Sequence, residues 1–415
     1  VLGKLRGALA REANGSAFTG QASLRRTGDV FSLTVPQAAL TGGSGERVLT
    51  LSRFQYGVGG GLPRLSGNFA TGGRDLPRIE GRVVQRGSEG FTAQLAMATY
   101  AAGGGSIAVP SLAIVSKGAS VGFAGRSIVS GDLPGGHADG LLLPLSGNWS
   151  SAAGLALWRQ CAELSFDSLR FANLTLQRHG LTVCPARGRP IVRYAGGGLH
   201  VAAGVPSLDL AGELGKTPIA IRSGAIGFAY PGTLSARQML VTLGPRDTAT
   251  TFAVGDLSAR IGKAIAGRFG GADVKLFSVP LNIVDAQGAW AYAGGRLSIA
   301  DGAFRLVDRQ PQARFEPLVA RGATLALDDN LIVADAALRE PKSDAIVTRL
   351  EIRHDLASGH GHADLAVGGL TFGPALQPET LTPLAFGVVA NVAGTVTGTG
   401  RIDWDEKGVT SSGRF

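Results

Sequence analysis

The chain has 415 residues, of which 63 are glycine and 44% are hydrophobic, and its formal charge is +9. This apolar content is too high for a disordered chain, and the glycines follow no three-residue period, which excludes a collagen-like protein. Aromatic residues make up 6% and basic residues form no long runs, so we expect no nucleic-acid partner. The positive charge indicates solvated arginines, with attraction to anionic lipid head groups as the functional alternative.

Short alternating segments recur along the chain at intervals of roughly ten residues. An early one contains Phe31, Leu33 and Val35, and another begins with Leu49 and Leu51. Glycine-bearing turns separate such segments at Gly42–Gly43, Gly103–Gly105, Gly135–Gly136, Gly196–Gly198 and Gly294–Gly295. This texture predicts an all-β fold of antiparallel or mixed strands, and a sheet of that size must twist and curl.

The most regular pattern lies between Cys161 and Cys184. Apolar residues occur there as the period-two pairs Leu164/Phe166, Leu169/Phe171, Leu174/Leu176 and Leu181/Val183. The parity slips by one residue between pairs, so the strand must bulge or turn a corner to keep one face apolar. Asp167–Ser168 and Arg178–Gly180 are the predicted corners.

The same two cysteines are the only ones in the chain. They could form a disulfide, remain buried thiols or serve a redox site. Their spacing is not CxxC and no His/Cys cluster offers zinc four ligands, so we expect a disulfide. By closing the loop between them, the bond would stabilise the fold by about 3 kcal/mol in the chain-entropy description. It would also indicate an oxidising compartment.

Two segments have helical spacing. In residues 256–269, Leu257, Ile261 and Ile265 recur every fourth residue. In the second segment the spacing is i, i+3, i+4, i+7, i+8, i+11, carried by Leu381, Leu384, Ala385, Val388, Val389 and Val392. Thr382 suits the cap and Pro383 the first helical position. We therefore predict one or two short helices, over 256–269 and 383–392.

Beyond Gly394 the apolar period becomes two. Val396, Ile402 and Trp404 share one face of a predicted strand, residues 405–408 form a turn, and residues 409–415 return as its partner. Since the chain stops inside that strand, we expect it to be part of a longer protein. The chain contains no stretch of 18 apolar residues, so the sequence predicts no membrane-spanning helix.

No pattern for enzyme chemistry or for a cofactor is recognisable in the chain. No GxSxG, HExxH or paired-carboxylate motif occurs, and the glycine-rich segments lack the GK[ST] of a phosphate loop. His354, His360, His362 and Asp364 could suggest a metal site, but we interpret them as residues of a glycine-rich turn. We therefore predict no enzymatic activity, no cofactor and no metal.

The segment from Ile352 to Phe415 resembles the C-terminal region of YdbH-like proteins, which are AsmA-like relatives of TamB in Gram-negative envelopes. The resemblance is close over about 315–415 and looser over 141–306, where Cys184, Pro185 and Gly188 are similar to the family pattern. The family also carries the label dicarboxylate transport. It implies one continuous, elongated groove over residues 1–415, formed by a U-shaped curled sheet, that carries phospholipid between the inner and outer membranes.

The resemblance also implies a periplasmic location, an inner-membrane anchor upstream of residue 1 and a small outer-membrane lipoprotein that adds a strand to the chain. The apolar side chains expected to line the groove are Phe31, Leu33, Leu49, Leu51, Leu164, Phe166, Leu169, Phe171, Leu174, Leu176, Val388, Ile402 and Trp404. The predicted helix over 383–392 would lie against the groove as a plug or guide. The alternative is a structural or adhesin-like envelope protein with a closed, side-chain-filled core.

Overall fold

A computed structural model describes residues 2–59, 64–87, 90–133, 135–262, 264–277, 279–405 and 408–415. Strands make up 71% of it and helices 5%, which confirms the all-β prediction. By its internal contacts the chain divides into two compact units, Val1–Gly204 and Val205–Phe415. No helix in the described ranges is long and apolar enough to cross a membrane.

The first unit begins with a helix, α1 (Leu2–Ala13), which the sequence reasoning did not predict. Its strands are β1 (Ala17–Thr27), β2 (Val30–Thr41), β3 (Arg47–Val58), β4 (Arg64–Thr71), β5 (Ile79–Arg86), β6 (Phe91–Ala102), β7 (Gly105–Lys117), β8 (Ser120–Leu133), β9 (Gly136–Ser150), β10 (Gly154–Leu157), β11 (Ala162–Phe171), β12 (Leu174–Pro185), β13 (Val192–Ala195) and β14 (Gly198–Val205). From β1 to β9 each strand pairs antiparallel with the next, and β9 then pairs with both β10 and β11.

The second unit contains β15 (Leu208–Leu214), β16 (Thr217–Ser223), β17 (Ile226–Tyr230), β18 (Gly232–Leu243), β19 (Thr250–Ile261), β20 (Ile265–Lys275), β21 (Leu281–Ala293), β22 (Arg296–Asp308), β23 (Leu318–Asp328), β24 (Leu331–Arg339), β25 (Ile346–Asp355), β26 (Gly361–Phe372), β27 (Gly394–Asp405) and β28 (Gly408–Arg414). Short 3₁₀ turns occur at Arg246–Thr248, Pro378–Thr380 and Pro383–Ala385. From β18 to β28 each strand pairs antiparallel with the next.

The helix predicted over 256–269 is wrong, because these residues belong to β19 and β20. Ile261 pairs with Ile265 and Leu257 with Phe269 across a hairpin. A spacing of four residues fits a helix, but it also fits two short strands with period-two alternation joined by a turn. Pairing with the neighbouring strands favours the hairpin over the helix.

The helix predicted over 383–392 is wrong as well. Only a 3₁₀ turn forms at Pro383–Ala385, capped as predicted by the Thr382 side chain, and Phe386 is already extended. Gly387 at φ 74° and Asn391 at φ 54° then take left-handed conformations, which a right-handed helix does not accept. The two strands predicted after Gly394 are confirmed as β27 and β28, while residues 406–407 of the predicted turn lie outside the described residues.

The predicted disulfide is present. Cys161 and Cys184 are bonded, with Cα atoms 4.0 Å apart, at the base of the β11–β12 hairpin. Between the pairs Phe166–His179 and Ser168–Gln177 the ladder skips Asp167 and Arg178, whose side chains form an ion pair at 2.7 Å. The interruption therefore lies at the predicted corners.

A comparable slip runs across the second unit. On each of the strands β18 to β23 one residue interrupts the alternation of side chains. These six neighbouring residues, which we call the crease, are Gln238, Gly255, Gly271, Asp285, Asp301 and Gly322. Five of the six have φ between 50° and 71°, Gly255 being the exception. On β22, for example, apolar residues fall at odd positions up to Ile299 and at even positions from Phe304. The left-handed residue absorbs the odd step, so both halves of the strand can present their apolar side chains to one face.

Candidate functional site

Cross-strand register shows which side chains share a face, because directly opposed residues point the same way. Two rows of such residues cross the second unit from β18 or β19 to β27. The Ile402 row is Leu234, Ala259, Gly267, Trp290, Ile299, Leu325, Ala334, Ile352, Ala363 and Ile402. The Trp404 row, one alternation further along, is Ile261, Ile265, Tyr292, Leu297, Leu327, Ile332, His354, Gly361 and Trp404.

A third row lies on the far side of the crease. This Leu318 row is Leu210, Ile221, Val241, Phe252, Val274, Ile283, Leu306 and Leu318. It shares a face with the other two rows, because Ala320 lies two residues from Leu318 and pairs with Leu338, which lies four residues from Ala334 on β24. We call the three rows together the apolar face of the second unit.

On β24 to β28 the opposite face is largely charged. One of its rows is Asp335, Glu351, Asp364, Arg401 and Ser412, and another is Arg353, His362, Asp403 and Thr410. Arg401 forms ion pairs at 3.0 Å with both Asp364 and Asp403. The guanidinium of Arg401 is stabilised in its charged form, since hydrogen bonding to Asp403, and to Asp364, raises its pKa. The two faces therefore differ sharply in chemistry.

Most of the apolar face has no protein layer above it. Among the described residues no large side chain is fully buried, and Tyr292 remains 44% exposed. A small core cluster among the described residues lies on β23 and β24, where Leu318, Ala320 and Leu338 are packed by Phe304, Leu306, Phe315, Ala336, Val347 and Leu381. Elsewhere the sheet is a single layer whose apolar side chains are half-buried by their neighbours, unlike the filled core of a sandwich.

The first unit has a face of the same kind. Its Leu51 row is Ala38, Leu51, Phe69, Gly81, Leu95, Leu112, Gly125 and Leu145. Two further predicted residues, Phe31 and Leu33, alternate on β2, and Leu33 pairs through Tyr56 to Leu65. Leu65 and Phe69 lie four residues apart on the regular strand β4.

The register therefore places Phe31, Leu33, Leu49 and Leu51 on one face. The change of parity on β3 occurs at Arg53, which has φ 49°. A left-handed residue thus acts here as in the crease of the second unit.

The six candidates of the β11–β12 hairpin pair with one another or with their neighbours. Leu164 opposes Leu181, Leu169 opposes Leu176, and Phe171 opposes Leu174. Phe166 and Leu176 are the most buried, at 3% and 6% exposure, and Phe171 is 36% exposed. The hairpin candidates thus include side chains that pack within the sheet as well as exposed ones.

Of the remaining candidates, Ile402 and Trp404 lie in the two rows described above. Val388 does not lie on a strand. It lies in the connection between β26 and β27 and is 77% exposed. Its assignment depended on the helical stripe that does not form, so we no longer group it with the sheet residues.

Several aromatic rings lie over glycines of the neighbouring strand. A methyl group on Gly361 would come within 2.5 Å of the Trp404 ring, and one on Gly81 within 2.7 Å of Phe69. Gly136 under Phe171, Gly147 under Phe123 and Gly288 under Phe269 repeat the arrangement. A methyl group at these glycines would have to displace the ring, so each ring packs directly against the backbone of the neighbouring strand.

Trp404 also contacts a histidine on the apolar face. The indole Nε1–H donates to Nδ1 of His354 at 3.2 Å, and the ring centroids are 5.9 Å apart. Burial lowers the pKa of His354, which favours the neutral ring. Because an indole N–H can only donate, Nδ1 of His354 accepts this hydrogen bond and carries no proton. The His360 carbonyl lies 3.1 Å from the same Nδ1 atom, and Nδ1 could donate to it only in the other tautomer of the ring.

Open hollows of about 670 and 980 Å³ in the second unit are lined largely by the polar face, including Arg349, Glu351 and Asp335. No group of three or more metal-ligating side chains gathers within the described ranges. His354 and His362 point to opposite faces, so the histidine-rich segment does not converge on one point.

The sequence reasoning missed most of the rows. Leu297 and Ile299 on β22 and Leu325 and Leu327 on β23 belong to the rows but are not among the predicted lining residues. Their common face depends on the register between many strands, and the sequence of a single strand does not show that register. Trp290 and the glycines beneath the rings were missed for the same reason.

A family model described as YdbH-like, intermembrane phospholipid transport protein YdbH, matches residues 2–415. The match covers nearly the whole chain and so extends well beyond the C-terminal region in which the resemblance is closest. No curated protein and no solved structure gives a significant match.

Proposed function

Because the chain belongs to the YdbH-like family of intermembrane phospholipid transport proteins, we propose that the apolar faces of its two units carry the acyl chains of phospholipid. The observation that carries this proposal is the Ile402 row, which runs from Leu234 to Ile402 without a charged side chain and with the indole nitrogen of Trp290 as its one polar side-chain atom. Ala259 and Ala363 are buried, but the other residues of the row are partly exposed, so a ligand can reach the row.

The energetics favour an extended face over a single pocket. A phospholipid with two chains carries roughly thirty methylenes at about 0.8 kcal/mol each, so exposing them to water costs on the order of 20 kcal/mol. A carrier must keep that cover throughout the passage. Rows that continue from strand to strand supply it.

Carriage of this kind needs no covalent step, and we assign none to the chain. The proposal includes the continuous groove over residues 1–415 that the sequence reasoning expected. The charged residues of the opposite face keep the carrier hydrated and limit lipid to the apolar face. The half-exposed apolar rows favour this function over an adhesin-like protein with a closed core.

An intermembrane transport role indicates a periplasmic location, and the disulfide between Cys161 and Cys184 fits an oxidising compartment. An inner-membrane anchor in the complete protein and strand addition by a small outer-membrane lipoprotein both belong to the proposal. They are supported by the family's role.

The test compares two neighbouring residues of β22. Ile299 lies in the Ile402 row, and Ser298 lies on the opposite face. We expect Ile299→Arg to reduce the phospholipid that co-purifies with the protein, measured by mass spectrometry, by about tenfold, because a buried guanidinium is costly beside acyl chains. Ser298→Arg should leave it unchanged. Equal lipid content in both variants, with both folded, would contradict the proposal.

A further inference from the structure

The connection between β26 and β27, residues 373–393, carries a group of exposed apolar side chains. We call this group the apolar tip: Leu384, Phe386, Val388 and Val389. They are 54%, 82%, 77% and 44% exposed, and Phe386 is more exposed than any other large apolar side chain among the described residues. Connections of this length are uncommon in compact units.

The base of this connection is fixed in place. The Gln377 amide donates to the Gly373 carbonyl at 2.7 Å and to the Val392 carbonyl at 2.9 Å, and its oxygen accepts from the Val392 N–H at 2.9 Å. The Thr382 hydroxyl donates to the Arg314 carbonyl at 2.6 Å. One side chain therefore joins the two ends of the connection, and the tip projects from an ordered base.

The connection also continues the apolar face. Leu381 packs against the cluster of Leu318, Ala320 and Leu338, and Leu318 ends the third row of that face. The Glu316 N–H donates to the Leu381 carbonyl at 2.8 Å, which holds this contact in place. The connection that carries the tip is therefore packed against the apolar face.

The composition of the segment suits a lipid surface. Residues 380–400 contain no charged side chain, whereas charged residues make up 17% of the whole chain. Burial of the tip in a bilayer interface would therefore not desolvate a charge of this segment. The tip is also a projection of four side chains, far smaller than the roughly 800 Å² per partner of a stable protein interface.

We propose that the apolar tip inserts into the interfacial region of a phospholipid bilayer, where lipid passes between the bilayer and the apolar face. This inference rests on the proposed function, which it extends by naming the point of membrane contact. Phe386 and Val388 are the inserting residues, and Gln377 is a positioning residue that holds the two ends of the connection together.

The test uses an environment-sensitive fluorophore. All native cysteines are in the disulfide, so Phe386→Cys supplies one free thiol for labelling. Ala357→Cys, in the exposed turn at the other end of β26, is the matched control. With vesicles of phosphatidylethanolamine and phosphatidylglycerol, the label at 386 should shift to the blue and be quenched by brominated acyl chains. The label at 357 should not.

A second measurement uses vesicle co-flotation. Phe386→Asp with Val388→Asp should weaken flotation by about tenfold or more, because two large apolar contacts are lost. Leu331→Asp, at a side chain that is 45% exposed elsewhere in the unit, should leave flotation unchanged. No blue shift at 386 with vesicles would overturn the inference. A blue shift that appears without vesicles when the protein concentration is raised would also overturn it, because it would show contact with a second copy of the chain.

The inference and the proposed function can fail separately. If Ile299→Arg removes co-purifying lipid while the label at 386 ignores vesicles, the carrying face stands and the membrane contact lies elsewhere. If the label inserts while Ile299→Arg retains lipid, the tip binds membranes but the face is not the carrier.

Discussion

The two faces of β22 are separated by a single step along the chain. Ile299 lies in an apolar row that continues from β18 to β27, whereas Ser298 beside it lies among polar and small side chains. A one-residue error in alternation would exchange these faces. The contrast shows that parity decides which side of the sheet can hold lipid, and that the crease is what keeps parity correct along each strand.

Substitution of Asp301 by valine should break the comparison most severely. Asp301 has φ 52°, a left-handed conformation that a β-branched residue rarely adopts, and this conformation lets Leu297 and Ile299 share a face with Phe304 and Leu306. We therefore expect Asp301→Val to destabilise the second unit by about 3 kcal/mol, measured by thermal unfolding and limited proteolysis. Asp301→Gly is the matched control and should be tolerated, because glycine accepts a positive φ. Native-like unfolding of Asp301→Val would show that the left-handed residue does not set parity.

Substitution at the end of β22 separates stability from lipid carriage. The Asp308 side chain accepts hydrogen bonds from the Arg314 N–H at 2.8 Å and from Arg314 Nε at 2.7 Å. Hydrogen bonding to Arg314 holds the pKa of Asp308 well below its usual range. Asp308→Asn should therefore destabilise the unit by about 2 kcal/mol while co-purifying lipid is retained.

The stability difference between the unaltered protein and the Asp308→Asn variant should depend on pH. A carboxyl whose folded-state pKa is depressed stabilises the fold above its unfolded pKa, near 4, and this contribution is lost as pH falls toward the folded value. The gap in melting temperature should be constant above about pH 5 and should shrink below about pH 4. A gap that does not change with pH would remove the ion pair from the account.

A smaller effect is expected where a ring covers a glycine. Gly361→Ala would place a methyl within 2.5 Å of Trp404, so the ring must lift from the sheet. We expect a loss of about 1–3 kcal/mol, read from denaturant unfolding, as for other overpacked sites. Gly400→Ala on the same face meets no atom closer than 3.5 Å and should be nearly neutral. Equal stability of the two variants would argue against a tight fit between ring and glycine.

Much of this architecture could be predicted from the sequence. Period-two segments, the disulfide and the slipped hairpin between Cys161 and Cys184 are local patterns, and each was recognised. The rows were not, because a row is a property of register across strands. The helix errors show the same limit, since Leu257, Ile261 and Ile265 satisfy a helical spacing and also two short strands. Only pairing with β18 and β21 resolves them.

The most direct test is a photo-crosslinking scan along β22 in the complete, lipid-loaded protein. If the apolar face carries lipid and the crease maintains it, phospholipid should be captured at Leu297 and Ile299 before Asp301 and at Phe304 and Leu306 after it. Ser298, Arg305 and Val307 should stay unlabelled. Capture with an unbroken period of two through Asp301, or capture equally on both faces, would contradict the account.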